Sequence, residues 1–228
     1  MGKRARTSTE PRRAMAAITV LGGTGYTGAN IVRTAAARGH AVTSVSRSLP
    51  AERADGDTYM QSSVISADSA SLVTGYDVVV GALSPNSGEL AGKLGGIYRA
   101  LAGAVVATGT RLVIVGGFSA LRRVAGGPRI AFSEEMNPLF ADAAREMAAV
   151  ADWLLTTPAE LAWTYVSPAS AYGVRNPGEP LGAYRLGSDV ALTDPKGMSD
   201  VSGADFATAI VDIIDSGDHR RAHVCVAY

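Results

Sequence analysis

A chain of 228 residues, 47% hydrophobic and 18% charged, with 26 glycines, is long enough to bury one full core and too apolar to stay unfolded. Its 21 basic and 21 acidic residues cancel. Setting aside Lys3, Arg4, Arg6, Arg12, Arg13 and Glu10 at the start leaves 16 and 20, a net charge of −4 that gives the body no attraction for nucleic acid.

Cys225 is the only cysteine, which excludes disulfide scaffolds and multi-thiolate metal sites within the chain. No apolar run reaches the ~18 to 20 residues that span a bilayer. Residues 1–15 read as a disordered basic extension, the alternative being an upstream start ahead of Met15. The apolar segment after Met15 breaks at Gly22, before a signal-peptide core is complete. The cytoplasm is the expected compartment, with neither membrane nor nucleic acid as a partner.

Residues 16–228 read as one domain without linker or repeat. Short β-branched runs, AITVL (17–21), AVTSVS (41–46), YDVVVGAL (76–83), RLVIVGG (111–117) and WTYVSPA (163–169), alternate with helical segments at 29–38, 89–108 and 141–156. Near-continuous apolar strands are what a parallel sheet covered on both faces requires. The first helix closes on Arg38 and Gly39, a basic last turn and a C′ glycine. Further on, a hairpin is expected near 183–193, and Ser202 and Asp205 fit a capping box opening a helix to 215. AHVCVAY then supplies the last strand. The alternation predicts a single-domain, Rossmann-like, doubly wound α/β fold, a mostly parallel sheet with helices on both faces.

The stretch VLGGTGYTGANIV (20–32) places Gly23, Gly25 and Gly28 at G-x-G-x-x-G spacing, and Gly22, Gly25 and Gly28 at G-x-x-G-x-x-G. It follows an apolar strand and opens an amphipathic helix, as a dinucleotide fingerprint does. There the early glycines let the backbone turn tightly against a pyrophosphate, and the helix start supplies N–H groups and a positive dipole end. Gly22, Gly23, Thr24, Gly25, Tyr26, Thr27 and Gly28 are the expected cofactor contacts. An NAD site puts a carboxylate about twenty residues further on, for the ribose 2′-OH. No Asp or Glu occurs between Gly28 and Glu52, and Arg47 stands there instead, between Ser46 and Ser48. A guanidinium at that point pairs with a 2′-phosphate. NADP(H) is therefore expected over NAD(H), with Arg47 and Ser48 as contacts, against the alternative of a solvated surface arginine.

Ala82, Leu83 and Ser84, in GALSP (81–85), are expected beside the cofactor ribose, and Gly117, Ser167 and Pro168 at the ends of later strands. Ser119, closing VGGFS (115–119), is the candidate catalytic hydroxyl, placed to polarise an acceptor or hold the carboxamide; a loop serine without a role is the alternative. Segments near 118–132 and 170–202 follow strand ends, where open α/β sheets hold ligands, and are expected to form the substrate cleft. Each is equally readable as a surface loop.

The glycine turn, Arg47, VVVGALSP, RLVIVGGFS and WTYVSPA together resemble the atypical short-chain dehydrogenase/reductase superfamily, in its NmrA-like and NADH-flavin-reductase branch, and more distantly the biliverdin reductase B family. The C-terminal YRLGSDVALTDPKGMSDVSGADFATAIVDIIDSGDHRRAHVCVAY resembles that branch most, and the likeness runs from Ile18 to Tyr228. It implies NADPH-dependent hydride transfer to a flavin, FMN or riboflavin, or to a quinone-like acceptor. The alternative it leaves open is a non-catalytic NADP(H)-sensing regulator of the NmrA type.

Typical members of the wider superfamily carry a Tyr-x-x-x-Lys pair, whose lysine lowers the tyrosine pKa for proton exchange with an alcohol or ketone. Here Lys3, Lys93 and Lys196 are the only lysines, and none follows a tyrosine by four residues. A flavin or quinone delocalises the charge it receives and takes its proton from water, so positioning suffices. His40 is expected in the turn into the second strand, and His219 and His223 ahead of the last. No metal site is expected, because no ligand cluster has the spacing. Trp153 and Trp163 are expected to pack on the sheet, and Tyr184 and Arg185 to belong to a structural hairpin. Monomer and homodimer both stay open.

Overall fold

Strand burial sets the architecture of the computed structural model, which describes residues 15–50, 58–86, 88–134 and 136–228. The basic extension expected over 1–15 lies outside these residues, Met15 excepted. β1 (Ala17–Leu21), β2 (Ala41–Ser46), β4 (Val78–Gly81), β5 (Arg111–Val115) and β6 (Trp163–Pro168) are buried along nearly their whole length. Such strands need cover on both faces. With β3 (Thr58–Gln61), β7 (Arg185–Gly187) and β8 (Ala222–Ala227) they form one eight-stranded sheet in the order β3-β2-β1-β4-β5-β6-β8-β7, parallel except for β7.

Helices α1 (Tyr26–Ala37) and α5 (Gly203–Ser216) cover one face, packing Ile31, Val32, Phe206 and Ile210 on β1 and β4. On the other face α2 (Ser69–Val73), α3 (Leu94–Thr108) and α4 (Pro138–Leu155) bury Leu72, Tyr98, Leu101 and Met147 around Trp163 and Tyr165. The expected doubly wound, Rossmann-like sheet is what is observed. Among the described residues no helix is long and apolar enough to cross a membrane.

Three local features depart from the sequence pattern. β3 was not anticipated, because TYMQ is a half-exposed edge strand without an apolar run. The expected 183–193 hairpin does not close on itself. Its first part joins β8 as β7, while Arg122 N–H donates to the Asp189 carbonyl and draws the second part toward residue 122. The helix expected over 89–108 starts only at Leu94, since Gly92 adopts a φ of 73°.

The Ser202 cap forms as expected, its Oγ accepting from Asp205 N–H at 3.0 Å. The Asp205 carboxylate does not return to the Ser202 amide. It accepts instead from Leu181 N–H (2.7 Å), Gly182 N–H (3.2 Å), the Ser202 hydroxyl (3.1 Å) and the Tyr228 hydroxyl (2.5 Å). Burial pushes this carboxyl upward, but those four donors outweigh it and leave the group below its ordinary range. Its stabilisation is therefore present above the ordinary carboxylate pKa and is lost as pH falls through the lowered value. Asp205→Ala leaves four donors without an acceptor and is expected to cost about 3 kcal/mol. Urea unfolding measures this directly, and a loss below about 1 kcal/mol would show that water replaces the carboxylate.

Candidate functional site

The strand order changes direction between β1 and β4, and there the chain makes its glycine turn. Gly22 has a φ of 82°, and a Cβ on it would stand 2.5 Å from the Ala82 carbonyl oxygen. A Cβ on Gly28 would stand 2.1 Å from the Gly22 carbonyl oxygen, so α1 seats directly on the turn. Gly22 and Gly23 N–H both donate to the Val45 carbonyl, at 2.8 and 3.2 Å, tying the turn to the end of β2.

The start of α1 is built differently from the other helices. α2, α4 and α5 carry the side-chain caps Asp68, Asn137 and Ser202, and Glu146 accepts from the first N–H of α3 at 2.7 Å. At α1 the N-cap is Gly25, without a side-chain hydrogen bond, and no acidic residue lies in the first turn. That start therefore leaves its N–H groups open to an anionic acceptor.

Two cavities flank this helix start. The smaller, about 220 Å³, is bounded by Gly22, Thr24, Gly25, Arg47, Ser48 and Ala82 to Ser84, with Ser62 to Ile65 and Leu90 opposite. Arg47 Nη1 lies 2.6 Å from Glu89 Oε2, and both side chains are more than half exposed. The larger cleft, about 520 Å³, opens at the C-terminal ends of β4, β5 and β6 and reaches Gly25, Tyr26 and Thr27. Gly117 and Pro168 line it, as does Ser119 in the short turn Phe118–Ala120.

Of the segment 118–132 only Phe118, Ser119 and Ala120 reach this cleft. Leu121 and Ile130 instead pack against Cys225. Of 170–202, Ser170 and Tyr172 to Val174 line it. The facing wall is α4, through Phe140, Ala143, Ala144 and Met147. Helical periodicity marks that face as apolar, but nothing in the sequence assigns it to a cleft instead of the core.

Three anticipated contacts reach neither cavity with a side chain or Cα. Gly23 packs on Ser44, and Gly28 on the turn itself. Ser167 is fully buried in β6, with its hydrogen bonds made internally. Arg129, held at Nε by Asp152 at 2.7 Å, donates from Nη1 to His223 Nδ1 at 3.3 Å. His223 Nε2–H therefore donates to Ser167 Oγ (2.9 Å), whose proton goes to the Gly117 carbonyl (2.9 Å). Burial, reinforced by Arg129, pushes His223 down to about 3, so the ring is neutral. His223 lies within β8, not ahead of it, and its chain of bonds fixes the residue that borders the cleft.

Tyr172, absent from the sequence expectations, lines the cleft with its hydroxyl 2.7 Å from Thr27 Oγ1 and its ring against Tyr26. Burial pushes its phenol upward despite the Thr27 bond, so it stays protonated. None of the described residues lining this cleft carries a charge. Tyr184 and Arg185 lie elsewhere: Tyr184 donates to Asp212 on α5, and Arg185 to the Thr193 and Tyr228 carbonyls.

A parallel sheet with its glycine turn at the switch point, an uncapped helix start above it and a cavity on either side together define a Rossmann-type dinucleotide-binding protein. The chain belongs to the NAD(P)H-binding family, whose model matches residues 22–217. It is similar to SP1627 of Streptococcus pneumoniae, a "putative NADH-flavin reductase", at 29% identity and a TM-score of 0.79, covering 93% of this chain and 99% of that one. It is also similar to a "putative epimerase" of Bacteroides thetaiotaomicron, at 25% identity and a TM-score of 0.82, covering 94% and 98%. YwnB of Bacillus subtilis, an uncharacterized protein, is 27% identical over 219 residues, 92% of this chain and 97% of that one.

Proposed function

We propose that the protein is an NADPH-dependent reductase of a flavin or quinone-like acceptor. The observation that carries this reading is the charge-free, aromatic-walled cleft beside the glycine turn, in a chain without a lysine placed to activate a tyrosine. Tyr172 has Thr27 as its hydroxyl partner and a pKa above, not below, the ordinary value. That is the reverse of what alcohol oxidation or sugar epimerisation asks of a general base. An acceptor that holds the incoming charge in its own ring system makes no such demand.

In this reading the first turn of α1 holds the diphosphate, Arg47 the 2′-phosphate, and Ala82 to Ser84 the ribose. When bound, NADPH supplies a hydride, and the acceptor takes it with one proton from water, leaving NADP⁺. Phe118, Phe140 and Tyr172 sandwich a planar acceptor and exclude water, Ser119 donates a hydrogen bond to it, and the Ser167 and His223 chain keeps the Gly117 wall in place. The reaction belongs in the cytoplasm, a setting compatible with a single buried thiol at Cys225.

The test is oxidation of NADPH by the purified protein with FMN, riboflavin and a small quinone, repeated with NADH. Steady turnover is expected. Tight NADPH binding without turnover on any of these acceptors would overturn the reductase in favour of a redox-sensing regulator. In an Arg47→Ala variant NADPH binding is expected to weaken by about 10- to 100-fold, the worth of a charge-assisted phosphate contact, with NADH binding little changed. Equal losses for the two nucleotides would remove Arg47 from 2′-phosphate recognition.

A further inference from the structure

We infer that Glu89 is the residue that sets the balance between NADH and NADPH, acting as a movable partner of Arg47. This rests on the nucleotide assignment proposed above. Judged by spacing along the chain, the site lacks the carboxylate that holds a ribose 2′-OH, since none follows the glycine motif before Glu52. The fold restores one from elsewhere: Glu89 lies 42 residues from Arg47 in sequence, and its Oε2 stands 2.6 Å from Nη1.

The segment that carries Glu89 is anchored just C-terminal to the carboxylate. Leu90, the next residue, is buried and lines the small cavity. Glu146 on α4 then accepts from Gly92 N–H at 2.8 Å and Leu94 N–H at 2.7 Å, pinning the short turn Gly88–Leu90 against the start of α3. Arg47 is held by its backbone, where the carbonyl accepts from Gln61 Nε2 at 3.0 Å, so its side chain can change partner without moving β2.

Both charged heads are more than half exposed, at 55% and 64%, so their mutual attraction is screened and costs little to break. A 2′-phosphate brings two negative charges and a bidentate geometry, and takes Arg47 from Glu89. NADH brings an uncharged diol, which leaves the ion pair intact and offers hydroxyl protons to the carboxylate beside Arg47. Glu89 thereby favours NADH twice, as acceptor for the diol and as competitor for the guanidinium. The site admits both nucleotides, at a ratio that this carboxylate sets.

The experiment titrates the full chain with NADPH and NADH, and with 2′-phosphorylated and plain adenosine 5′-phosphate, in the wild type, Glu89→Gln and Arg47→Ala, with thermal melts to confirm folding. Glu89→Gln is expected to tighten NADPH and weaken NADH, moving the ratio of their dissociation constants by about tenfold toward NADPH, and to move the adenosine phosphates the same way. A ratio within about twofold of wild type in Glu89→Gln, with NADPH still lost in Arg47→Ala, would overturn the role of Glu89 and leave the Arg47 assignment standing. A ratio unmoved in both variants would overturn the two together.

Discussion

A Gly28→Ala variant is expected to lose NADPH affinity by about a hundredfold or more, although a single methyl group is added and no polar contact is removed. The new Cβ would lie 2.1 Å from the Gly22 carbonyl oxygen and 2.8 Å from both the Gly22 carbonyl carbon and the Gly23 Cα. All three are backbone atoms, so no side chain can swing aside. Gly22 cannot retreat either, since it donates to Val45 and sits against the Ala82 carbonyl. The helix must therefore lift, carrying its uncapped N–H groups away from the phosphate position and straining Ile31 and Val32 against α5, at about 1–3 kcal/mol of stability. Gly103→Ala, on the exposed side of α3, is the control, because a Cβ there would meet nothing within 4 Å. Nucleotide titration and thermal melts of both variants decide the matter. Affinity near wild type in Gly28→Ala, or an equal loss in Gly103→Ala, would show that the turn is not what holds the dinucleotide.

The same glycines explain why so much of this protein could be read before its fold was seen. A strand, a turn that tolerates no side chain and an amphipathic helix lie within about twenty residues, so their geometry is local and the motif is continuous. Five central strands were legible for a similar reason, since burial on both faces writes an unbroken apolar run into the chain. Edge strands carry no such signature. Neither β3, half exposed, nor β7, three residues long and paired with β8 across the intervening helix α5, shows one. The wall that α4 contributes to the cleft was hidden because an apolar helix face looks the same whether it meets a core or a ligand.

Long-range pairs were the least legible of all. Counting residues after Gly28 finds no carboxylate, yet Glu89 stands beside Arg47. Ser167 offered the opposite error: a hydroxyl at a strand end reads as a ligand contact, but alternation along β6 turns it inward to His223. Spacing rules register partners on one segment, whereas these partners meet through the sheet order.

His223 carries the second large expected effect, on stability as a function of pH. Its folded pKa of about 3 lies below the ordinary value of roughly 6.5, because burial and Arg129 disfavour the charged ring. A depressed value means that the unfolded chain binds a proton that the folded chain refuses. The stabilisation is whole above about pH 6.5 and is lost as pH falls toward the folded pKa, at about 1.4 kcal/mol per unit. Between about pH 6.5 and 4.5 the wild type should lose roughly 2–3 kcal/mol through this residue. His223→Gln keeps an amide donor for Ser167 but cannot titrate. Urea unfolding, followed by the fluorescence of buried Trp163 and partly buried Trp153, should give a variant that is less stable at neutral pH yet loses less on acidification, the two curves converging. Parallel curves would mean that the folded ring accepts its proton after all. In that case the added proton would sit on Nδ1 and end the bond from Arg129, and the wall at Gly117 would be as pH-sensitive as an exposed imidazole.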